Sequence, residues 1–398
     1  MFYNINAQVE CGVNYHNYLL DVIVIIDTKI IIWRFLPLMC CYFPNKAVKL
    51  FKNEIPVSPS FKPKNGVVLV GRGCKQIELV NKVTGIIRVV REDDMLKLPC
   101  GQCMGCRIRE SVDRANRCIL ETMHHEENWF ITLTYKDEFL PYSEDGVATL
   151  KYSDIVNFNK NLRRQLEYHY GFKEPLKVLY AGEYGDEHQR PHFHGIYCNL
   201  PLPNLVKFGV NHQGDVVYRS PFLEKIWKKG YVTVGRADWQ SCAYVARYVC
   251  KKHKGKDRGW YEANGVAPEK CVMSKGFAKV SYDVDFVTQD ISYIVPDRKK
   301  GFREVPCPRI YSEWWKKEKL APYEDLKVIN EALYEQQKEK VLSPLMLLRA
   351  KKAREANEAF KEEMSRTDIS DMYDYLRIKY DNFLQRVGAL KRGMLKGG

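Results

Sequence analysis

The run of strand-like and helix-like segments between residues 126 and 255 predicts an α+β domain, an antiparallel sheet with helices packed on it. Three observations carry that reading. The order is strand, helix, strand–turn–strand, strand, helix. The two middle strands, "LKVLYAGE" and "PHFHGIYCNL", are separated only by the polar turn "YGDEHQR", a connection short enough to force antiparallel pairing. At 398 residues and 45% hydrophobic composition the chain has room for a substantial core and for two or three domains.

The elements follow in order. Residues 39–75 are rich in Pro, Lys and Val and contain short strand-like runs such as "GVVLVG". "LPCGQCMGC" precedes a helical stretch expected from Arg107 to His125. "NWFITLTY" reads as a strand, with Phe130, Leu133 and Tyr135 only partly in a period of two. In "KYSDIVNFNKNLRRQLEYHY" the apolar positions Ile155, Phe158, Leu162 and Leu166 fall at helical spacing, with Ser153 as the expected N-cap. After the strand pair and a loop, "GYVTVGRA" reads as a strand and "DWQSCAYVARYVCKKH" as a helix opening at Asp238. From about Ser312 the chain is charged and helix-prone, broken at Pro322 and Pro344.

Lys and Arg number 63 against 49 Asp and Glu, a net charge of +14. That excess points to a polyanionic partner, nucleic acid before an anionic membrane. The 25 Tyr, 17 Phe and 7 Trp could stack on unpaired bases, although most aromatic rings serve as core. Thirteen cysteines in a long chain without a dense disulfide framework indicate a reducing compartment. Residues 18–43 are strongly apolar, but Asp21, Asp27, Lys29 and Arg34 interrupt them. A buried strand or an extension fits better than a membrane span, and no secretory leader is evident.

The chemistry centres on "EYGDEHQRPHFHG", residues 183–195. Alternate residues of a strand share a face, so His192 and His194 point to one side and Phe193 to the other. Glu183, at the end of the preceding strand, can reach the same point. Two imidazoles and a carboxylate make a divalent-metal site with open positions. Asp186, Glu187 and His188 in the turn offer further ligand atoms. An H-x-H pair taken alone is most often two ordinary histidines. Downstream, Tyr244 and Tyr248 at i,i+4 share a helix face, followed by Lys251 and Lys252. A phenol can attack a phosphodiester where a metal and cations offset the developing charge. A YxxxY pair by itself more often packs on a core. Cys100, Cys103 and Cys106 form C-x2-C-x2-C before a helix, and with Cys118 as a fourth ligand they could hold Zn²⁺ or an iron–sulfur centre.

These motifs together resemble the HUH endonucleases of rolling-circle replication. The sequence is most similar to the replication initiators of small single-stranded-DNA microviruses, especially the gokushovirus branch. "PCGQCMGCR", "FITLTY", "AGEYG", "RPHFHG", "VTVGRA" and the tyrosine run occur in the family's order, over roughly residues 39–310. The resemblance implies a five-stranded antiparallel sheet flanked by helices, ferredoxin- or RRM-like, with a helical C-terminal region. It makes His192, His194 and Glu183 the ligands of Mg²⁺ or Mn²⁺. It makes Tyr244 and Tyr248 the nucleophiles, with Lys251 and Lys252 as the basic residues that follow. The implied activity is nicking at an origin through a 5′-phosphotyrosine, then strand joining, with no nucleotide cofactor. The implied partners are single-stranded or supercoiled origin DNA and the host replication machinery, in the host bacterial cytoplasm, with no membrane.

The expected organisation is an N-terminal extension (1–38), a region with the cysteine motif and a helix (39–125), the endonuclease core (126–255), a core extension (256–310) and a charged helical region (311–398). Residues 1–38 fall outside the resemblance and are expected to be an over-extended reading frame, with Met39 as the initiator. Two other readings compete. One is a non-catalytic nucleic-acid-binding protein built on a cysteine–zinc module. The other is a metal-dependent hydrolase with water as the nucleophile.

Overall fold

A computed structural model gives the fold. It describes the backbone of residues 22–26 and 29–33, then 41–185 apart from 52, 65 and 72, and 189–248 apart from 212 and 213. Beyond these it describes 259–285, 292–297, 301–320, 351, 355, 358–360, 362–367, 369 and 372–395. Lys251, Lys252, Asp186, Glu187, His188, Pro322 and Pro344, and most of the segment before Met39, lie outside the described residues, as does Met39 itself.

The central sheet has seven strands: β1 (Asn128–Tyr135), β2 (Lys177–Tyr184), β3 (Pro191–Cys198), β4 (Val206–Val210), β5 (Val216–Arg219), β6 (Gly230–Arg236) and β7 (Cys271–Met273). Their spatial order is β4-β5-β6-β1-β3-β2-β7, and every neighbouring pair is antiparallel. The α+β class and antiparallel sheet stand as the sequence indicates, but the count of five strands is corrected to seven. The four long strands β6, β1, β3 and β2 form the middle, and short strands widen the sheet at both edges. The β4–β5 hairpin reads as loop in the sequence because it is only half-buried or exposed and carries no clean apolar alternation. β7 is three residues long, too short to register a period.

Helix α1 (Met104–Thr122) begins three residues earlier than the sequence suggests, because Cys103 already serves as its N-cap. Helix α2 (Tyr152–Tyr170) links β1 to β2, while β3 is inserted between them, a split β-α-β unit. Its N-cap is Lys151 and not Ser153. The hydroxyl of Tyr152 donates to Pro268 O at 3.0 Å and accepts from Lys270 N at 2.7 Å, which draws residue 152 into the first turn. Helix α3 (Pro221–Trp227) precedes β6, and α4 (Trp239–Ala246) follows it. α4 opens at Asp238, as its sequence requires: the Asp238 carboxylate accepts from Ser241 N at 2.7 Å, and Ser241 Oγ accepts from Asp238 N at 2.8 Å.

Alternation along the strands sends side chains to two different cores. Ile131, Leu133, Tyr135, Phe193 and Tyr197 meet Ile155, Phe158, Leu162 and Leu166 of α2 and Leu223 and Trp227 of α3. On the other face Leu179, Ala181, Ile196 and Cys198 meet α1 and α4. Both faces of the middle strands are therefore covered, which is why β3 is buried almost throughout and "FITLTY" shows only a partial period. Helices α5 (Lys279–Asp285) and α6 (Arg309–Leu320) and the hairpin Ser292–Asp297/Gly301–Pro306 complete the second core through Tyr282, Tyr311, Tyr293 and Val305.

Residues 45–98 form two smaller sheets, of four and three strands, around a core of Val48, Val68, Val70, Ile77, Leu79, Val90 and Met95. Val22–Ile26 and Lys29–Trp33 pair as antiparallel strands. Among the described residues no helix is long and apolar enough to cross a membrane. A last helix, α7 (Met372–Leu395), sets Tyr380 and Phe383 against Tyr42 and Phe43.

Gly230, opposite Tyr135 at the start of β6, tests how tightly the middle strands are joined. A Cβ there would lie 2.1 Å from Thr134 O and 2.6 Å from Lys136 N, contacts with backbone that cannot swing away. Gly230→Ala is expected to cost about 1–3 kcal/mol of stability, the range for overpacking. Chemical denaturation measures it, and an unchanged midpoint would contradict the close approach.

Candidate active site

The register of β2 against β3 pairs Glu183 with His192 and Ala181 with His194, and β1 lays Thr132 beside His194. This places the two imidazoles and the carboxylate on the face covered by α4. His192 Nε2 lies 3.2 Å and His194 Nε2 3.1 Å from the same oxygen, Glu183 Oε2. The hydroxyl of Tyr248 donates to that oxygen as well. Glu183, His194 and Tyr248 are buried, and His192 is partly so.

The other ring nitrogens are engaged elsewhere. His192 Nδ1 lies 3.0 Å from Arg190 O, and His194 Nδ1 lies 2.9 Å from Thr132 Oγ1. A carbonyl can only accept, so His192 must carry its proton on Nδ1 to make that bond. A neutral His192 then presents the Nε2 lone pair to a carboxylate oxygen, lone pair against lone pair. Burial pushes the His194 imidazole down to about 4, against the pull of Glu183, so it too is neutral near pH 7. A cation between these groups resolves the repulsion. Ring nitrogens oriented from behind by a carbonyl and a hydroxyl are the usual support of a metal-binding histidine. The three ligand atoms all lie within 4.8 Å of one another. The donor set of two nitrogens and one oxygen therefore fits a divalent ion.

The tyrosines gather around His194. The Tyr248 ring stacks on it at 5.8 Å between centroids, and the Tyr244 ring meets it edge-on at 5.2 Å. The two phenol rings are 5.4 Å apart. Only Tyr244 lies within α4, since α4 ends at Ala246 and Tyr248 follows the C-cap Arg247. The expected shared face is thus made by one helical residue and one just past the helix end. Burial, with Tyr244 and Glu183 beside it, pushes the Tyr248 phenol well above its ordinary range. Tyr244 is half-buried.

Arg247 is a residue that sequence reasoning misses. Its guanidinium lies 4.2 Å from the centre of the Tyr244 ring and 5.6 Å from that of Tyr248. Burial favours its neutral form, but the two phenols and Glu183 outweigh that and raise its pKa. Among the described residues no group accepts a hydrogen bond from its buried Nε. The spacing i+3 from Tyr244 is the available signal, obscured by the more conspicuous Lys251 and Lys252.

Cys100, Cys103 and Cys106 come together, but their fourth companion is Cys41 and not Cys118; the four sulfurs all lie within 4.8 Å of one another. Cys118 is twelve residues along α1 from Cys106, and a helix of that length carries it roughly 18 Å away. There it is fully buried in the apolar core with Cys198 and Cys242.

Comparison with known proteins gives a consistent pattern. The family model of the replication-associated protein ORF2 matches residues 128–253, the span from β1 to just beyond Tyr248. The chain is 33% identical over 226 residues to the replication-associated protein ORF2 of Spiroplasma virus 4, covering 56% of this chain and 68% of that one. It is 29% identical over 235 residues to the replication-associated protein VP4 of Bdellovibrio phage phiMH2K, covering 58% and 71%. It is 40% identical over 159 residues to the replication-associated protein ORF4 of Chlamydia phage 1, covering 39% and 38%. No solved structure matches the chain.

The support behind His194 can be tested without reference to activity. Thr132→Val keeps the shape of the side chain and removes the partner of His194 Nδ1. It is expected to lower stability by about 1–3 kcal/mol, the cost of an unsatisfied buried polar group. Denaturation in the presence of EDTA reads this out; an unchanged stability would show that Thr132 does not hold the ring.

Proposed function

Because this chain belongs to the family of the replication-associated protein ORF2, we propose that it is a phage replication initiator that nicks one strand of origin DNA through a tyrosine and later rejoins it. The observation that carries the reading is the meeting of two imidazoles and a phenol hydroxyl on one carboxylate oxygen, Glu183 Oε2. A second phenol, Tyr244, stands one ring away.

Glu183, His192 and His194 would hold one Mg²⁺ or Mn²⁺, the nitrogen-rich set favouring Mn²⁺ in affinity. When bound, the ion would polarise the scissile phosphate and offset its charge. The remaining chemistry belongs to the protein. A tyrosine oxygen forms a bond to phosphorus as the bond from phosphorus to the 3′ oxygen breaks. The phenol proton is transferred, in net, to that 3′ oxygen. The products are a 5′-phosphotyrosine and a free 3′-OH that the host polymerase can extend. Because one ester replaces another, the reverse attack by a 3′-OH rejoins the strand with no nucleotide cofactor. Arg247, beside both phenols, is placed to stabilise the phenolate and the phosphate charge. The raised pKa of Tyr248 keeps it protonated until such a charge is available. Lys251 and Lys252 follow within four residues and would add to the positive field. The DNA partner accords with the net charge of +14. The place of action would be the interior of the phage's host.

Two experiments test this. Tyr244→Phe and Tyr248→Phe are each expected to retain some cleavage of a short single-stranded oligonucleotide and to fail in the second transfer that recircularises a strand. The double variant is expected to form no covalent adduct on a denaturing gel. An adduct at the 5′ end from the double variant would place the nucleophile elsewhere. Free cut ends without an adduct in the unaltered protein would indicate water as nucleophile, and no cut at all a binding protein.

His192→Ala, or excess EDTA with the unaltered protein, is expected to abolish nicking. DNA affinity should be largely retained, since it rests on Lys and Arg. Full cleavage under either condition would remove the metal from the mechanism.

A further inference from the structure

We propose that Cys41, Cys100, Cys103 and Cys106 bind a single structural Zn²⁺ ion, separate from the nicking site and independent of its chemistry. All four sulfurs lie within 4.8 Å of one another. Four thiolates at about 2.3 Å from one tetrahedral zinc are roughly 3.8 Å apart, so the cluster needs only a small contraction to close. A polynuclear iron–sulfur cluster suits it less, because each thiolate then binds a different iron and the sulfurs stand further apart than ligands of one ion.

The backbone is already shaped for thiolates. Gln102 N and Cys103 N point at Cys100 Sγ from 3.4 and 3.3 Å, and Cys100 N points at Cys41 Sγ from 3.2 Å. These N–H groups offset sulfur charge as the outer shell of a metal site does. Gly101, at φ +71°, makes the sharp turn between the first two ligands of the motif. Cys103 is the N-cap of α1 and Cys106 lies in its first turn, where the helix dipole also favours negative charge. None of the four is in a disulfide.

The placement assigns the ion a task. Residues 45–98 hold two small sheets around a core of only seven buried apolar residues. Modules with so little core usually need a metal or a disulfide to hold together. Cys41 precedes this module and Cys100 follows it, so an ion shared by both closes its ends. The same ion fixes the module to α1, which packs with α4 and Tyr248 in one core. The aromatic contacts of Tyr42 and Phe43 with Tyr380 and Phe383 bring α7 to the same junction.

The test uses the full chain, purified under reductant and without chelator. Elemental analysis should find about one zinc per chain that survives His192→Ala. Cys41→Ser and Cys103→Ser should lower occupancy by about tenfold or more, whereas Cys74→Ser, outside the cluster, should not. Because a serine variant could lose zinc merely by misfolding, the unaltered protein is also loaded with Co²⁺. It should then show the thiolate-to-cobalt charge-transfer band and the strong visible bands of a tetrahedral site. A mercurial should release the metal as four thiols react. Full zinc in Cys41→Ser, loss of the zinc in His192→Ala, acid-labile sulfide with iron, disulfides among the four cysteines, or no thiolate–cobalt band would each overturn the proposal.

Discussion

One pairing register sets the rest of the site. β2 and β3 are joined by a short turn, and the register that places Glu183 opposite His192 also places Ala181 opposite His194. A slip of one residue would turn every side chain of β3 to the opposite face. His192 and His194 would then point toward α2, and Phe193 toward α4. The apolar demand of both cores resists that slip, because Phe193 and Tyr197 fill the α2 side while Ile196 and Cys198 fill the α1 and α4 side. The chemistry is thus held by packing on the face that takes no part in it.

The carboxylate at the centre would be costly if left alone. A buried charge needs compensating partners, and Glu183 has three directed at one oxygen, of which the Tyr248 hydroxyl is an unambiguous donor. The two imidazoles are different, because the Arg190 carbonyl fixes the His192 proton on the far nitrogen and burial keeps His194 neutral. The site is therefore built for a positive centre it does not supply from its own side chains. That is the opposite of a structural ion pair, in which both signs come from the protein.

Much of this is legible in the sequence, and the limits have physical causes. The H-x-H pattern fixes the shared face because a strand has a period of two whatever surrounds it, and the place of Glu183 follows from the shortness of the turn. Asp238 is readable as a cap because capping is local. The seven-strand count is not readable: β4, β5 and β7 are short edge strands whose residues lack a buried face to impose a period. The fourth cysteine is misplaced for a related reason. Cys118 is near Cys106 in sequence, but a helix is a rigid spacer and carries it away. Cys41 is 59 residues before Cys100, and only the folding of the two small sheets brings it back. Arg247 is hidden among stronger signals, since its role depends on α4 ending at Ala246 so that the chain turns between the two tyrosines.

That ending also makes the two phenols unequal. Tyr244 sits within α4, half-buried, its ring under the Arg247 guanidinium at 4.2 Å. Tyr248 sits past the helix end, fully buried, its hydroxyl on Glu183. Under the proposed mechanism both must reach one phosphate in turn, yet their starting costs differ. Tyr248 must give up a hydrogen bond to the carboxylate and is held protonated by burial. Tyr244 has the cation closer and a smaller burden of burial. A pair of identical nucleophiles could exchange roles without direction, whereas a pair in unlike settings gives each transfer its own barrier. The turn at Arg247 thereby distinguishes chemically identical side chains four residues apart, and a continuous helix through Tyr248 would have left them much more alike.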